Sequence, residues 1–263
     1  MYFQFTGTNV RLLGSMHLFP ATNRRTPPWI TDAYDWADAL VFESDPATIL
    51  PLLRADAKSD AQLDANPNAN PGAAQLRSLM RADAWTQLQS LWPASGALAP
   101  LDALRPWAAL IVAPTLLQQA VEGVEPRLMR SASAQAKPFW YLETAQDVAA
   151  ALESISPEVI ATALELLMAD RAEPQRTLER MYAAWLDGDL AALQRIAVES
   201  PMFNLPGLRD ALLDVRNRAW AARLGDSLDT SERTLVVVGA LHLCGPGNLL
   251  DCLARPVEAV YGA

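Results

Sequence analysis

Val236-Val237-Val238-Gly239-Ala240-Leu241-His242-Leu243-Cys244-Gly245-Pro246-Gly247 is the stretch on which the fold turns. A β-branched run ends in glycine, a histidine follows three residues later, and a Gly-Pro-Gly turn leads into an apolar helix. This reads as a buried strand delivering a polar side chain at its carboxyl end, where open α/β sheets bind their ligands. The device recurs near the start of the chain, in Val10-Arg11-Leu12-Leu13-Gly14-Ser15-Met16-His17. The protein has two histidines, and both stand at the end of a Gly-x-x-His. With 12 glycines in the chain, chance alone places both so about once in 500 sequences.

Working outward, two more apolar runs end in a carboxylate. Ala39-Leu40-Val41-Phe42 leads to Glu43, with Asp45 and a terminating Pro46 beyond it. Phe139-Trp140-Tyr141-Leu142 leads to Glu143. Residues 2–13 read as a hairpin around a Thr-Gly-Thr-Asn turn, and Val257 to Val260 as a last edge strand. Leu18-Phe19-Pro20 and Asn23-Arg24-Arg25 read as a loop over His17.

Thr31 to Ala39 predicts a short helix capped by Thr31. The polar interval 55–72 predicts a mobile loop, followed by helices over about 74–91, 101–120 and 125–136. From 145 to 225 the pattern is helical, broken at Asp187-Gly188-Asp189 and at 201–206. Pro157 at a first turn starts one helix, and Leu208 to Leu224 forms another. Trp85, Trp92 and Trp107 supply core bulk. The expected fold is therefore α/β: a central mixed sheet built from N- and C-terminal strands with a large helical middle. It forms one domain over 1–263, with a helical cap over about 74–136 and 145–225.

A formal charge of −9 and the lack of a Lys/Arg run argue against nucleic acid and anionic membranes as partners. The chain shows neither a basic start with a long apolar stretch nor an uninterrupted apolar segment of about 18 residues. It reads as a protein with no signal peptide and no membrane span. Cys244 and Cys252 read as free thiols in a reducing cytoplasm. A reactive thiolate at Cys244, two residues from His242, is the lesser reading beside a small buried hydrophobe.

The chemistry-bearing set is His17, Glu43, Glu143 and His242, one group per strand end. Two imidazoles and a carboxylate are the ligand set of many hydrolytic metal sites. A further glutamate suits a general base or a second ligand, and Arg216-Asn217 lies on a helix able to face the same edge. Each group also has a plainer reading. A histidine past a strand is ordinarily a hydrogen-bonded structural residue, and Arg216 has Asp210 and Asp214 on its own helix to pair with. No His-x-x-x-His or Cys-x-x-Cys is present.

An ordered set of segments resembles the TraB/PrgY–GumN–Tiki group. The matching pieces are Leu13-Gly14-Ser15-Met16-His17, Val41-Phe42-Glu43-Ser44-Asp45, Gly123-Val124-Glu125 and Lys137-Pro138 to Thr144. They continue with Arg216-Asn217-Arg218-Ala219-Trp220 and Val238-Gly239-Ala240-Leu241-His242-Leu243. The resemblance covers nearly the whole chain. It implies a fold akin to erythromycin-esterase-like and ChaN-like proteins, and an activity like that of the metal-dependent Tiki-type proteases, which use manganese or cobalt.

Carried over, His17, His242 and Glu43 would hold a divalent ion (manganese, cobalt or zinc). Glu143, Arg216 and Asn217 would line the same site, Glu143 as general base and Arg216 facing the oxyanion. The expected activity is a metal-dependent hydrolase, most simply a peptidase on a peptide or small-molecule substrate, in a cytoplasmic protein whose oligomeric state is open to a homo-oligomer. The alternatives are a metal-independent esterase-like hydrolase, and a non-catalytic module binding a peptide or a haem-like ligand. The resemblance leaves two departures. Many GumN-like relatives carry a signal peptide, and residues 47–120 offer little to match.

Overall fold

The computed structural model describes residues 1–23, 25–53, 76–93, 100–101, 104–225 and 231–261. The loop expected over 55–72 lies outside the described residues.

The sheet has six strands: β1 (Tyr2–Phe5), β2 (Val10–Ser15), β4 (Ala39–Phe42), β6 (Phe139–Tyr141), β7 (Thr234–Gly239) and β8 (Val257–Tyr261). Their spatial order is β6-β4-β7-β2-β1-β8. The first four run parallel, and β1 and β8 close the sheet antiparallel. β7 and β4 are buried along their whole length, which is why they read as continuous apolar runs. β2 and β7 pair residue for residue from Val10↔Thr234 to Ser15↔Gly239. The two Gly-x-x-His segments are thus neighbours at one edge of the sheet.

The β4–β6 pairing continues past both strands, with Leu142 N donating to Phe42 O at 2.8 Å and Glu143 N to Glu43 O at 2.9 Å. That extension sets the two glutamates side by side. Two apolar cores result. One surrounds the sheet and takes in Phe19, Trp29, Trp185 and Trp220; the other lies among helices and takes in Trp85, Trp107, Leu164 and Leu208. The helices of the expected cap thus divide between the two cores.

Several local expectations are corrected. The helix expected from Thr31 runs over Pro28–Trp36. Proline at its first turn loses no hydrogen bond there, and Trp29 and Ile30 bury its start. Leu18–Pro20 is not loop but a strand, β3, pairing antiparallel with β5 (Ala120–Glu122). Phe19 drives this by burying against Tyr182 and Trp185, at centroid distances of 5.3 Å each. β5 falls at the break between the helices expected over about 101–120 and 125–136, which run over Pro106–Leu116 and Val124–Ala134. The helix expected over Leu208 to Leu224 opens into one wide π turn at Asp210–Asp214, where Val215 N reaches back to Asp210 O, before Val215–Gly225 resumes α geometry.

Candidate functional site

At the carboxyl edge of the parallel strands, Glu43 is the hub. It is buried, and its Oε1 accepts from Gly239 N at 2.5 Å. Its Oε2 accepts from Arg216 Nη2 at 2.8 Å. His17 Nε2 and His242 Nε2 each stand 3.9 Å from Glu43 Oε1. The two imidazoles therefore face one oxygen and lie no further apart than twice that distance. Gly239 makes the approach possible: a Cβ there would sit 3.0 Å from His17 Nε2 and 3.3 Å from Glu43 Oε1.

His242 lies in a tight 3-10 turn, Ala240–Leu243, directly after β7. Its Nδ1 is 2.7 Å from Asn217 Oδ1, while Asn217 Nδ2 donates to Gly247 O at 3.3 Å. The Asn217 amide is thereby oriented with its oxygen toward the ring, so Nδ1 carries the proton and Nε2 its lone pair. Arg216 Nη1, which can only donate, stands 3.4 Å from that Nε2. The Trp220 ring covers the imidazole at a centroid distance of 4.3 Å. Burial pushes the His242 pKa down to about 3, and Arg216 and His17 add to the shift while Glu43 opposes it. His242 is thus neutral at neutral pH.

His17 differs. Its side chain is 60% exposed, the open member of the cluster. Its Nδ1 is 2.8 Å from Glu125 Oε1. The Glu125 carboxylate, with help from Glu43, lifts its pKa to about 9. Water at the exposed edge screens that charge. For Glu43, burial works against ionisation, but His242, Arg216 and His17, with the Gly239 N–H, outweigh it and hold the pKa at about 2.

Arg216 ties the cluster together. Its guanidinium reaches Glu143 Oε1 at 2.5 Å from Nη2 and Oε2 at 3.2 Å from Nε, and its Nη1 donates to Leu212 O at 3.1 Å. Trp220 Nε1 donates to Glu143 Oε2 at 3.1 Å. Both Glu143 oxygens are thus occupied, and the side chain is only 3% exposed. Such a carboxylate orients Arg216. It is not free to take a proton from a substrate, the task expected of it from the sequence. Burial and the Glu43 charge raise its pKa, against the bonds from Arg216 and Trp220. Arg216 pairs with Glu43 and Glu143, while Asp214 takes Arg209.

The structure therefore brings together all six expected residues: His17, Glu43, Glu143, Arg216, Asn217 and His242. Trp220 and Glu125 join them. Glu125 lies in the first turn of Val124–Ala134, where an acidic residue reads simply as a complement to the helix dipole. The signal that could have found it was the short Gly123-Val124-Glu125 match. Cys244 is no candidate: burial pushes its pKa up to about 12, and its thiol faces the Ala240 carbonyl at 3.2 Å. Both cysteines are free.

Among the described residues no group of three or more His, Cys, Asp or Glu is drawn together at metal-binding geometry. The donor set nevertheless fits a divalent ion in kind. Two imidazole Nε2 atoms and one carboxylate oxygen converge, His17 Nε2 becoming a donor once it gives up its proton, and each Nδ1 is held by an oxygen, the usual support of a metal-binding histidine.

Parallel strands with paired Gly-x-x-His histidines at their carboxyl edge, in a mixed sheet, define an α/β protein with a candidate site at that edge. The TraB/PrgY/gumN family model matches residues 3–256, and the chain belongs to that family. Among curated proteins it is similar to the uncharacterized protein YbaP of Escherichia coli (strain K12), at 29% identity over 243 residues, 92% of this chain and 86% of YbaP. The YbaP of Shigella flexneri matches equally, at 29% identity over the same length. No solved structure gives a significant match. Among the described residues no helix is long and apolar enough to cross a membrane.

Proposed function

We propose that this protein is a metal-dependent hydrolase acting on a peptide or related acyl substrate at the carboxyl edge of the sheet. The carrying observation is the convergence of His17 Nε2 and His242 Nε2 on Glu43 Oε1, both at 3.9 Å. These three residues would hold a divalent ion such as manganese, cobalt or zinc. When bound, the ion supplies Lewis acidity toward a carbonyl and a strong oxygen nucleophile at neutral pH.

The chain's own residues do the rest. Asn217 keeps His242 in the tautomer that presents Nε2. Arg216 carries a fixed positive charge beside the same nitrogen, 3.4 Å away; its N–H groups are taken by Glu43, Glu143, Leu212 and His242, so it acts on a substrate oxygen through its charge and not as a direct donor. Glu143 and Trp220 hold Arg216 and close off water behind it. The exposed face of His17 is where substrate enters. The acidic character of the chain keeps nucleic acid out of the substrate class. Two free thiols support a reducing, cytoplasmic setting.

Metal analysis of the purified protein, cobalt titration and cleavage of a quenched peptide library test this. His17→Ala and His242→Ala each lose cobalt binding and cleavage about 100-fold or more. Full cleavage by both variants, with no bound metal, refutes the reading. A second reading is metal-free acid–base hydrolysis, favoured by the exposed His17 ring paired with Glu125 at 2.8 Å. Cleavage that survives chelation selects it. Tight peptide or haem capture without turnover selects a binding module instead.

A further inference from the structure

We infer that Glu125 is the positioning residue of His17: it accepts a hydrogen bond from Nδ1–H and so aims Nε2 at Glu43 and the open edge of the site. The geometry is specific. Glu125 Oε1 lies 2.8 Å from His17 Nδ1, and the Ser15 hydroxyl donates to the same oxygen from the end of β2. The carboxylate is buried, 8% exposed, while the ring it holds is 60% exposed. Packing covers less than half of this ring, so this bond is what fixes where it points.

The segment 123–125 grips His17 twice. Gly123 N donates to His17 O at 2.8 Å and Val124 N to Met16 O at 2.9 Å, fixing the backbone beneath the ring. The approach is so close that a Cβ on Gly123 would fall 1.8 Å from Met16 O. Glu125, two residues on, then takes the ring. On the far side, the bare Cα of Gly239 leaves room for Nε2.

Stability does not account for a glutamate here. Its second oxygen, Oε2, is buried with no hydrogen-bond partner among the described residues, which is destabilising for a carboxylate. The arrangement mirrors the other histidine, where Asn217 Oδ1 accepts a hydrogen bond from His242 Nδ1–H at 2.7 Å. Both imidazoles are thus held at Nδ1 and offered at Nε2. The consequence for metal affinity rests on the reading proposed above; the orientation itself does not.

With only two histidines, the imidazole N–H protons of the full chain are assignable by NMR, using His17→Asn. The expected wild-type spectrum shows a low-field His17 Nδ1–H proton. It moves upfield in Glu125→Gln, whose amide oxygen is a weaker acceptor, and disappears in Glu125→Ala, while the His242 signal stays in place. Cobalt binding, read by absorbance, weakens about tenfold or more in Glu125→Ala and less in Glu125→Gln. A wild-type His17 signal that is absent, or that is unchanged in Glu125→Gln, overturns the inference even should Glu125→Ala not fold. A signal that responds as expected in a wild-type protein that binds no cobalt upholds Glu125 and overturns the metal reading alone.

Discussion

Replacing Gly239 by alanine separates the site from the fold. The Gly239 backbone, at φ −55° and ψ 134°, is open to any residue, so alanine needs no backbone change. Fewer unfolded conformations then favour the variant by about 0.4–1 kcal/mol. Against this stands the new methyl, 3.0 Å from His17 Nε2 and 3.3 Å from Glu43 Oε1. A rigid core would be penalised by about 1–3 kcal/mol for such crowding. Here the atom in the way belongs to a ring that is 60% exposed and can swing outward. The two effects nearly cancel, and the expected Tm change is under about 4 °C. The site fares worse. His17 Nε2 must retreat by a few tenths of an ångström, more than the roughly 0.2 Å that metal–ligand distances tolerate. Cobalt affinity should fall about 10- to 100-fold.

Gly14→Ala is the control. Its Cβ would meet Leu243 Cδ1 at 3.1 Å and Met1 Sδ at 3.2 Å, equal crowding with no donor atom involved. It should lower Tm and leave cobalt affinity near wild type. Differential scanning calorimetry and cobalt titration on the two variants decide. Wild-type affinity in Gly239→Ala, or a Tm loss above about 10 °C, refutes the reasoning.

Gly123→Ala should lose about 3 kcal/mol or more, because its Cβ meets a backbone carbonyl that cannot swing aside; a urea midpoint near wild type contradicts this. Arg216→Met leaves Glu43 and Glu143 buried without their cation, and should lose about 3–5 kcal/mol. Adding Glu143→Met should restore part of that in a double-mutant cycle, and strict additivity would count against the coupling. In chelator-treated protein, the two histidines should lower Tm on opposite sides of about pH 6.5, each contribution read as the difference between its His→Asn variant and wild type. His242, with its native pKa pushed down to about 3 from 6.5, leaves the unfolded chain to take the proton, so stability drops as pH falls below 6.5. His17, raised to about 9, keeps a proton the unfolded chain releases, so stability drops as pH rises from 6.5 to 9. His242→Asn should flatten the limb between pH 6.5 and 4.5, before Glu43 begins to titrate out of its salt bridges, and His17→Asn the alkaline one; unchanged limbs in calorimetric scans refute the assignment.

The strand ends were legible because period and punctuation agree there. An apolar run, a glycine and one polar residue mark β7, and the same marks on β2 made the two chain ends neighbours in the sheet. Glu43 and Glu143 were legible for the same reason, since each follows a short buried or half-buried run. What they do was not. Which carboxylate is free and which is spent depends on Arg216, and its partners lie 73 and 173 residues away in sequence. Local spacing offered Asp210 and Asp214 instead, six and two residues off. Glu125 escaped because a first-turn glutamate has an ordinary local explanation. β3 and β5 escaped because three-residue strands carry too little pattern to outweigh the prolines and helices beside them.

The wide turn at Asp210–Asp214 has a geometric consequence. Leu208 and Ala211 are packed in the helical core, and Trp220 and Leu224 in the sheet core. One rod thus spans two bodies, and the extra residue in its turn sets their relative phase. Each residue of an α-helix turns the chain by about 100°. A relative shorter by one residue here would keep the same strands and the same arginine, yet point the guanidinium a quarter-turn or more away from the glutamates. Gaps falling inside 210–214 in an otherwise well-matched relative would therefore mark a protein with a different site.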